Sequence, residues 1–523
     1  MTLQFITPFS VRIGVAGAGT MGSGIALTAL LADMPVTLYD VSADMLANAR
    51  SYVESHLERK GKAANIAYLD LTSRLDDMES AGVLIEAVPE DLALKQELFA
   101  TLDGICALPA ILATNTSTLP VTAIAAAAKQ PQRVAGMHFF NPAPVMPLVE
   151  VIQGAQTHPN TIQSLVSLAI KLGKTPVVAR DTPGFIVNRV ARPFYGEALR
   201  ILGEGVATHE KIDQIVRLGG GFRMGPFELM DLIGIDINLA AMQSMYQQTH
   251  WEPRYKPHLI QDQMVQQKAM GRKTGRGFYD YSEGQKTEDL KAAPPDLKGG
   301  RAILLPGSMA PELAALLRKA GFTLSRGMNA AADETTIGIA AASPAEGLRR
   351  QVAELDRLLP PGIPLICQCA DITLTEVATW MEHPDRLVGI DGLFLAGGSV
   401  ATLVPGPTLT PGMRSAADRF ISNLGFYPIW INDAPGLVLP RIVCMLANEA
   451  IFAVQERVAE AEKVDLAMKL GVNYPTGPIA WAKQLGYANV LSVLDHLYSE
   501  FHEERYRAAP LLRRWERVER VSA

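Results

Sequence analysis

The chain carries one long run of residues twice. "DTPGFIVNRVARPFYGEAL", starting at Asp181, returns as "DAPGLVLPRIVCMLANEAI" at Asp433. The offset of 252 holds without a gap through Gly225-Pro226 and Gly477-Pro478 to Gly234 and Gly486. Just upstream, "QPQRVAGMHFF" matches "HPDRLVGIDGLFL" at an offset of 253. A repeat on this scale constrains the architecture more than any single motif, because the fold must be one that the same elements can build twice. At 523 residues the chain is also too long for one ordinary core. Residues 185–282 read as mostly helical, so each copy is expected to close with a helical domain.

The first copy is preceded by a nucleotide-binding pattern. In "VRIGVAGAGTMGSGIALTALL" a buried-strand run, residues 11–16, meets a helix-like apolar stretch through Gly17, Gly19 and Gly22, spaced G-x-G-x-x-G. Gly17 permits a tight turn, Gly19 lets backbone approach a pyrophosphate, and Gly22 lets the helix pack close on the strand. Thr20 and Met21 complete the loop and count with it as cofactor contacts. The helix start offers free N–H groups and the positive end of its dipole to phosphate. A second strand, "PVTLYD", ends in Asp40, where a carboxylate meets the adenosine ribose and repels a 2′-phosphate, favouring NAD over NADP. "GVLIEAVPED" ends in Glu90, with Lys95 one turn later, and "AILATNTSTL" ends in Asn115, Thr116 and Ser117. Open parallel sheets present their ligand crevice at such strand ends. Ser117 could equally cap a helix starting at Pro120.

"GMHFFNPAPVMPLVEV" then places His138 and Glu150 at the rims of two apolar runs. Pro142, Pro144 and Pro147 exclude a helix between them, so the segment is predicted as strand, stiff loop, strand, with the two side chains brought together. A carboxylate on one ring nitrogen fixes the tautomer, frees the other nitrogen as a base and stabilises the imidazolium. Beside a nicotinamide, that pair suggests alcohol oxidation. Asn188 lies early in the next helix, where asparagine is a poor interior residue and asks for a polar task. Asp181 and Thr182 look like the cap of that helix.

With "GAGTMGSGIA", "IEAVPEDLALK", "NTSTL", "MHFFNPAPVMPLVEV" and "DTPGFIVNR" in this order, residues 10–282 resemble the 3-hydroxyacyl-CoA dehydrogenases. The resemblance implies that His138 is the base and Glu150 its partner, and that Ser117 and Asn188 bond the reacting oxygen and the histidine network. It implies that Asp40, Glu90, Lys95 and Asn115 lie along the NAD site. It assigns Lys60 and Lys62 to coenzyme A phosphates, although the stretch between Asp40 and Gly82 is shorter than the family's usual helical hairpin. The tandem arrangement looks like the two-repeat members, and the short lead before Gly17 leads us to expect the form without a hydratase part. "KLGVNYPTGPIAWAKQLG" and "FHEERYRAAPLLRR" look like the bacterial 3-hydroxyadipyl-CoA dehydrogenases of phenylacetate degradation.

The second copy has lost the site. The offset sets Asp391 on His138, Ala370 on Ser117, Gln368 on Asn115 and Pro440 on Asn188, and a two-residue gap sets Pro405 on Glu150. Its start, "RAILLPGSMAPELAALLRKAG", has one glycine where the first half has three.

The expected fold is an α/β Rossmann-type NAD-binding domain over 9–182, an all-α substrate and dimerisation domain over 183–282, and a linker over 283–300. A degenerate Rossmann-like copy follows over 301–432 and a second helical domain over 433–523.

The expected activity is NAD-dependent oxidation of a (S)-3-hydroxyacyl-CoA. 3-Hydroxyadipyl-CoA is favoured and 3-hydroxybutyryl-CoA the runner-up. A non-catalytic NAD-binding protein and a dehydrogenase of free hydroxy acids share the fold. If the acyl group is dicarboxylic, Arg189, Arg192, Arg223, Arg505 and Arg507 are candidates to meet its free end. The 48% hydrophobic and 20% charged composition with net charge −6 points to a globular enzyme with no general attraction to nucleic acid. No signal peptide or membrane span is read, since "IALTALLA" stops at Asp33, and a cytoplasmic location is expected. Cys367 and Cys369 lack partners at zinc spacing and are read as core residues, so no metal is expected. The partners are an acyl-CoA substrate and, as an option, further copies of the chain.

Overall fold

The structure, a computed structural model, describes residues 11–282, 300–304, 310–325, 336–341, 345–394 and 398–522. The chain builds two sheets. The first contains β1 (Ile13–Ala16), β2 (Val36–Tyr39), β3 (Leu69–Thr72), β4 (Val83–Glu86), β5 (Ile111–Thr114), β6 (Val134–Phe139), β7 (Leu148–Gln153) and β8 (Thr175–Arg180). Their order is β3-β2-β1-β4-β5-β6-β7-β8, and only β6 and β7 run antiparallel. The second contains β9 (Gly300–Leu304), β10 (Phe322–Ser325), β11 (Thr336–Ala340), β12 (Leu365–Gln368), β13 (Leu387–Ile390), β14 (Val400–Pro405) and β15 (Tyr427–Trp430). Its order is β10-β9-β11-β12-β13-β14-β15, again with one antiparallel pair, β13 and β14. Strand for strand it repeats the first sheet, apart from a counterpart of β3 among the described residues. The expected linker falls on residues 283–299, outside the described residues, and Gly300 already belongs to β9.

The strands read as unbroken apolar runs because both faces are covered. Val83 and Ile85 of β4 enter a core shared with Ile25 and Leu30 of the helix Thr20–Leu31. Leu84, between them in sequence, enters a second core with Phe99 and Leu102 of the helix Leu92–Ile105. Alternation along the strand thus supplies two layers from one run.

The chain divides into two compact units that cut across the repeats. One is the chain up to Val190 together with Ala453–Asn473; the other is Ala191–Phe452 with the chain from Tyr474 onward. In the first unit the helix Ala461–Gly471, from the second repeat, packs on β7, β8 and the short helix Val187–Val190 of the first. Arg189 pairs with Glu456 at 2.7 Å, and Arg180 N donates to Val458 O at 3.0 Å. The second unit holds the mirror arrangement. The π-helical turn Ile215–Gly219, from the first repeat, packs on β14 of the second, and Ser399 N donates to Leu218 O at 2.9 Å. There Arg441 holds both oxygens of Glu204 at 2.7 and 2.8 Å. Arg189 and Arg441, and Glu204 and Glu456, are related by the same offset of 252. Tyr255 bonds Glu449 at 2.6 Å while Tyr506 bonds Glu197 at 3.0 Å, a further crossed pair within this unit.

Candidate active site

The glycine loop takes the form its spacing predicts. Gly17 has φ +106°, and a Cβ there would lie 2.6 Å from Ala87 O. A Cβ on Gly22 would lie 1.7 Å from Gly17 O, so only glycine lets the helix Thr20–Leu31 start this close to β1. A Cβ on Gly19 would meet no protein atom within 4 Å; it would fill the space through which a pyrophosphate approaches the backbone. Thr20 and Met21 form the first helical turn, Thr20 exposed and Met21 half-buried. Asp40, at the end of β2, accepts from Ala18 N at 2.8 Å and Ser42 N at 2.9 Å. Each carboxylate oxygen keeps a second lone pair for a ribose hydroxyl. The residues present therefore fit NAD.

At the ends of β4 and β5 the structure shows a brace that the sequence reading missed. Glu86 is fully buried and collects Lys95 Nζ at 2.6 Å, Thr114 Oγ1 at 2.7 Å and Val88 N at 2.7 Å. Lys95 is 1% exposed and also lies 3.3 Å from Glu90, so its ammonium sits beneath the rim rather than on it. Glu90 Oε1 accepts from Thr116 Oγ1 at 2.6 Å and from Ser117 N and Thr118 N at 2.9 Å each. Burial alone would raise the Glu90 carboxyl, but the Lys95 charge and these donors hold it below the usual carboxylate range. Glu90 and Lys95 thus fix the 116–118 loop. Asn115 Oδ1 accepts from Phe139 N at 2.8 Å and ties that loop to β6. The signal for Glu86 was an acid closing an apolar strand.

β6 and β7 set His138 and Glu150 directly opposite each other. His138 Nδ1 and Glu150 Oε2 are 2.7 Å apart, and Glu150 is fully buried. The other carboxylate oxygen accepts from Ile186 N and Val187 N, both at 3.0 Å. The chain turns these N–H groups inward through Gly184, φ +75°, and Phe185, whose φ of +47° is uncommon for a bulky residue. Phe140 and Phe185 lie against the imidazole with centroids 4.6 and 5.9 Å away. Nε2 makes no hydrogen bond among the described residues. Lys174, buried, bonds the carbonyls of Ala143 and Met146 and clamps the loop between the two strands. Asn188 Nδ2 donates to Ser117 O at 3.2 Å, so the residues expected to meet the reacting oxygen adjoin each other.

Three expectations need correction. Asp181 does not cap the helix that follows it. Its carboxylate accepts from Val121 N at 3.0 Å and Thr122 N at 2.7 Å, capping Val121–Ala125, while Glu150 takes the N–H groups it was expected to meet. That also removes Ser117 as a cap. Lys62 is bound to Asp33 at 2.9 Å and to Leu31 O at 2.8 Å, and Lys60 is exposed. In the second sheet, Val388, Gly389 and Ile390 pair with Pro405, Val404 and Leu403, and Asp391 N donates to Thr402 O. The counterpart of Glu150 is therefore Thr402, not Pro405. Cys367 and Cys369 are fully buried, as expected of core residues.

Comparison with known proteins agrees with this geometry. The family described as "3-hydroxyacyl-CoA dehydrogenase, NAD binding domain" matches residues 12–182, and "3-hydroxyacyl-CoA dehydrogenase, C-terminal domain" matches 184–281 and again 436–522. The 3-hydroxyadipyl-CoA dehydrogenase of Escherichia coli (strain K12) is 36% identical over 510 residues, 96% of each chain. A probable 3-hydroxybutyryl-CoA dehydrogenase of Bacillus subtilis (strain 168) is 44% identical over 281 residues, 52% of this chain and 98% of its own. The crystal structure of a 3-hydroxybutyryl-CoA dehydrogenase from Escherichia coli superposes with TM-score 0.83 at 34% identity, covering 98% of this chain and all of that one.

Proposed function

The chain belongs to the 3-hydroxyacyl-CoA dehydrogenase family and is an NAD-dependent enzyme of that reaction class, and from this premise we propose that His138 is its general base and 3-hydroxyadipyl-CoA its substrate. The observation that carries the catalytic reading is the His138–Glu150 pair, buried at the rim that holds the glycine loop, with Nε2 unbonded. Nε2 takes the proton of the 3-hydroxyl group. Glu150, held by Ile186 N and Val187 N, fixes the other ring proton on Nδ1 and balances the imidazolium charge. NAD, when bound, accepts the hydride from the carbinol carbon. Ser117 and Asn188 bond the reacting oxygen; Asp40 meets the ribose; Gly17, Gly19, Thr20, Met21 and Gly22 cradle the phosphates. Glu90, Lys95 and Asn115 hold the loop against which the cofactor lies.

The adipyl substrate is supported by the relative that carries this name and aligns over nearly the whole chain. The similar solved structure named for 3-hydroxybutyryl-CoA favours the second reading, a short neutral acyl chain. Initial rates of NADH formation across 3-hydroxyacyl-CoAs of different length and terminal charge decide between them. The adipyl ester is expected to give the highest kcat/KM. A higher value with the butyryl ester overturns the substrate, and no turnover of any ester overturns the catalytic reading. A cytoplasmic, self-associating enzyme completes the proposal. Among the described residues no helix is long and apolar enough to cross a membrane, which accords with it.

A further inference from the structure

Two ladder rungs, one in each sheet, occupy the same place and hold different residues. In the first sheet Glu86 of β4 stands opposite Thr114 of β5, and Thr114 opposite Gly136 of β6. In the second, Ala340 of β11 stands opposite Cys367 of β12, and Cys367 opposite Gly389 of β13. The repeat sets Gly136 on Gly389 at the offset of 253, so the rungs correspond. Glu86, Thr114, Ala340 and Cys367 are all fully buried. The second sheet is therefore built at this point with an alanine and a cysteine, and the strands need no carboxylate there.

A buried ion pair is often no more stable than apolar residues of similar volume, so the Glu86–Lys95 pair is weak evidence of stability alone. Its contacts lead to the reaction site. Glu86 Oε2 accepts from Thr114 Oγ1 at 2.7 Å, and Thr114 Oγ1 accepts in turn from Thr116 N at 3.2 Å. Glu86 Oε1 holds the Lys95 ammonium at 2.6 Å. The same ammonium lies 3.3 Å from Glu90, whose carboxylate takes Thr116 Oγ1, Ser117 N and Thr118 N. Two chains of contacts thus run from one buried carboxylate to the 116–118 loop, one through a hydroxyl and one through an ammonium. On its other side Glu86 pairs with Ala16, the last residue before Gly17.

We propose that Glu86, acting through Thr114 and Lys95, is the positioning residue that sets Ser117 against the His138–Glu150 pair. The proposal rests on the reading of Ser117 and His138 as the groups that meet the reacting hydroxyl. Glu86 touches no reacting atom; its charge fixes where the Lys95 ammonium stops. Without that charge the ammonium turns to Glu90 and draws the second carboxylate off the loop donors. A displacement of about 1 Å at a reacting group can cost on the order of 100-fold in rate. The worn copy, which has no such chemistry to align, carries Ala340 in the same place.

The test is kcat per cofactor-binding site, the sites being counted by titrating NAD into the same sample. The full-length enzyme is assayed with whichever of the adipyl and butyryl esters it turns over faster. Glu86→Gln keeps the shape and removes the charge. It should lower kcat per site by about 10- to 100-fold while KM for the ester holds, because it disturbs alignment and not ester binding. Thr114→Val should lower kcat per site by roughly 3- to 10-fold, the worth of one hydrogen bond. Glu86→Asp, which keeps the charge, should recover part of the rate. A native kcat per site in the folded variants overturns the proposal, and so does a loss that appears only as fewer NAD sites, the result of a purely structural role. If Glu86→Gln does not fold, Thr114→Val alone decides; Cys367 shows that this rung packs without the threonine hydroxyl. A native enzyme inert toward both esters, or a native rate in His138→Gln, defeats the catalytic reading itself. A slow His138→Gln beside native rates in Glu86→Gln and Thr114→Val defeats only the role of Glu86.

Discussion

At one point in the first sheet a buried glutamate faces a histidine across β6 and β7; at the matching point of the second, Asp391 faces Thr402. Around both points the backbone is the same. Gly184 and Phe185 have φ +75° and +47°, and their counterparts Gly436 and Leu437 have +73° and +53°. Asp181 caps a short helix through Val121 N and Thr122 N, and Asp433 does the same through Leu374 N and Thr375 N. The left-handed turn in the first half aims two N–H groups at Glu150, yet it persists in the second half, where Thr402 stands at the Glu150 position. What survived duplication is what holds the chain in place. What was lost is what handles protons and phosphates.

The largest effects should therefore separate His138 from Asp391. His138→Gln is expected to slow oxidation by about 10²- to 10⁴-fold, the usual contribution of a general base. Asp391→Asn should leave the rate alone and change the pH dependence of stability. Burial pushes the Asp391 carboxyl up to about 7, with Leu393 N and Phe394 N pulling the other way. An aspartate in the unfolded chain titrates near 3.9, so between about 4 and 7 the native state holds more protons than the unfolded one. Stability is then lost as pH rises through that window. Asp391→Asn should remove the slope and gain about 2 to 4 kcal/mol at pH 8. Urea unfolding of both proteins from pH 4.5 to 8 measures it. Parallel stability curves, or lost turnover in Asp391→Asn, would break the contrast between the halves.

Sequence reasoning reached the first half well where the chemistry is local. The glycine loop, Asp40 and the His138–Glu150 pair are set by short spacings and by prolines that forbid a helix. It reached long-range contacts poorly. Asp181 looks like the cap of its own helix, and only the sheet reveals that Val121 lies closer to it. The local sequence around Lys95 gives no hint of its buried pairing with Glu86 and Glu90. On sequence, Glu150 falls on Pro405, because gaps in loops rich in glycine and proline leave register open, and a strand ladder closes it at Thr402. The crossing of Ala461–Gly471 to the first sheet has no local sequence signal, since any amphipathic helix could make that contact.

The cofactor end sharpens the same comparison with a smaller effect. Only the first half joins G-x-G-x-x-G to an acid at the second strand, so titration calorimetry should count one NAD per chain. Two equivalent sites would contradict the reading of the second half as a scaffold. Asp40→Ser should weaken NAD by about 10- to 100-fold relative to NADP, because it removes a charged acceptor from the ribose. It also frees Ala18 N, which Asp40 holds at 2.8 Å, so part of the loss should appear with both cofactors. Equal affinity of the native enzyme for the two cofactors would refute the ribose contact.

The finest comparison lies at Gly219 and Gly471, which the repeat relates and which each touch the sheet of the other copy. A Cβ on Gly219 would stand 3.4 Å from Leu439 and 3.5 Å from Val400, ordinary contact distances. A Cβ on Gly471 would stand 2.8 Å from Leu148 Cδ2 and 3.0 Å from Val187. Leu148 is fully buried and opens β7 two residues before Glu150, and Val187 N is one of the donors that hold the Glu150 carboxylate. Crowding at Gly471 is therefore delivered to the residues that orient the His138–Glu150 pair. Gly471→Ala should cost about 1 to 2 kcal/mol through overpacking. It should also slow the pair's proton transfer more than it weakens substrate binding, so kcat should fall while KM holds. Gly219→Ala presses on a sheet with no chemistry to disturb and should stay within about 0.5 kcal/mol of the native protein. Unfolding midpoints and steady-state rates of the two variants, measured side by side, test this asymmetry. Equal penalties would mean that the helix from the second repeat only fills space against the first sheet. A loss of kcat confined to Gly471→Ala would mean that the worn copy is kept partly because it steadies the working one.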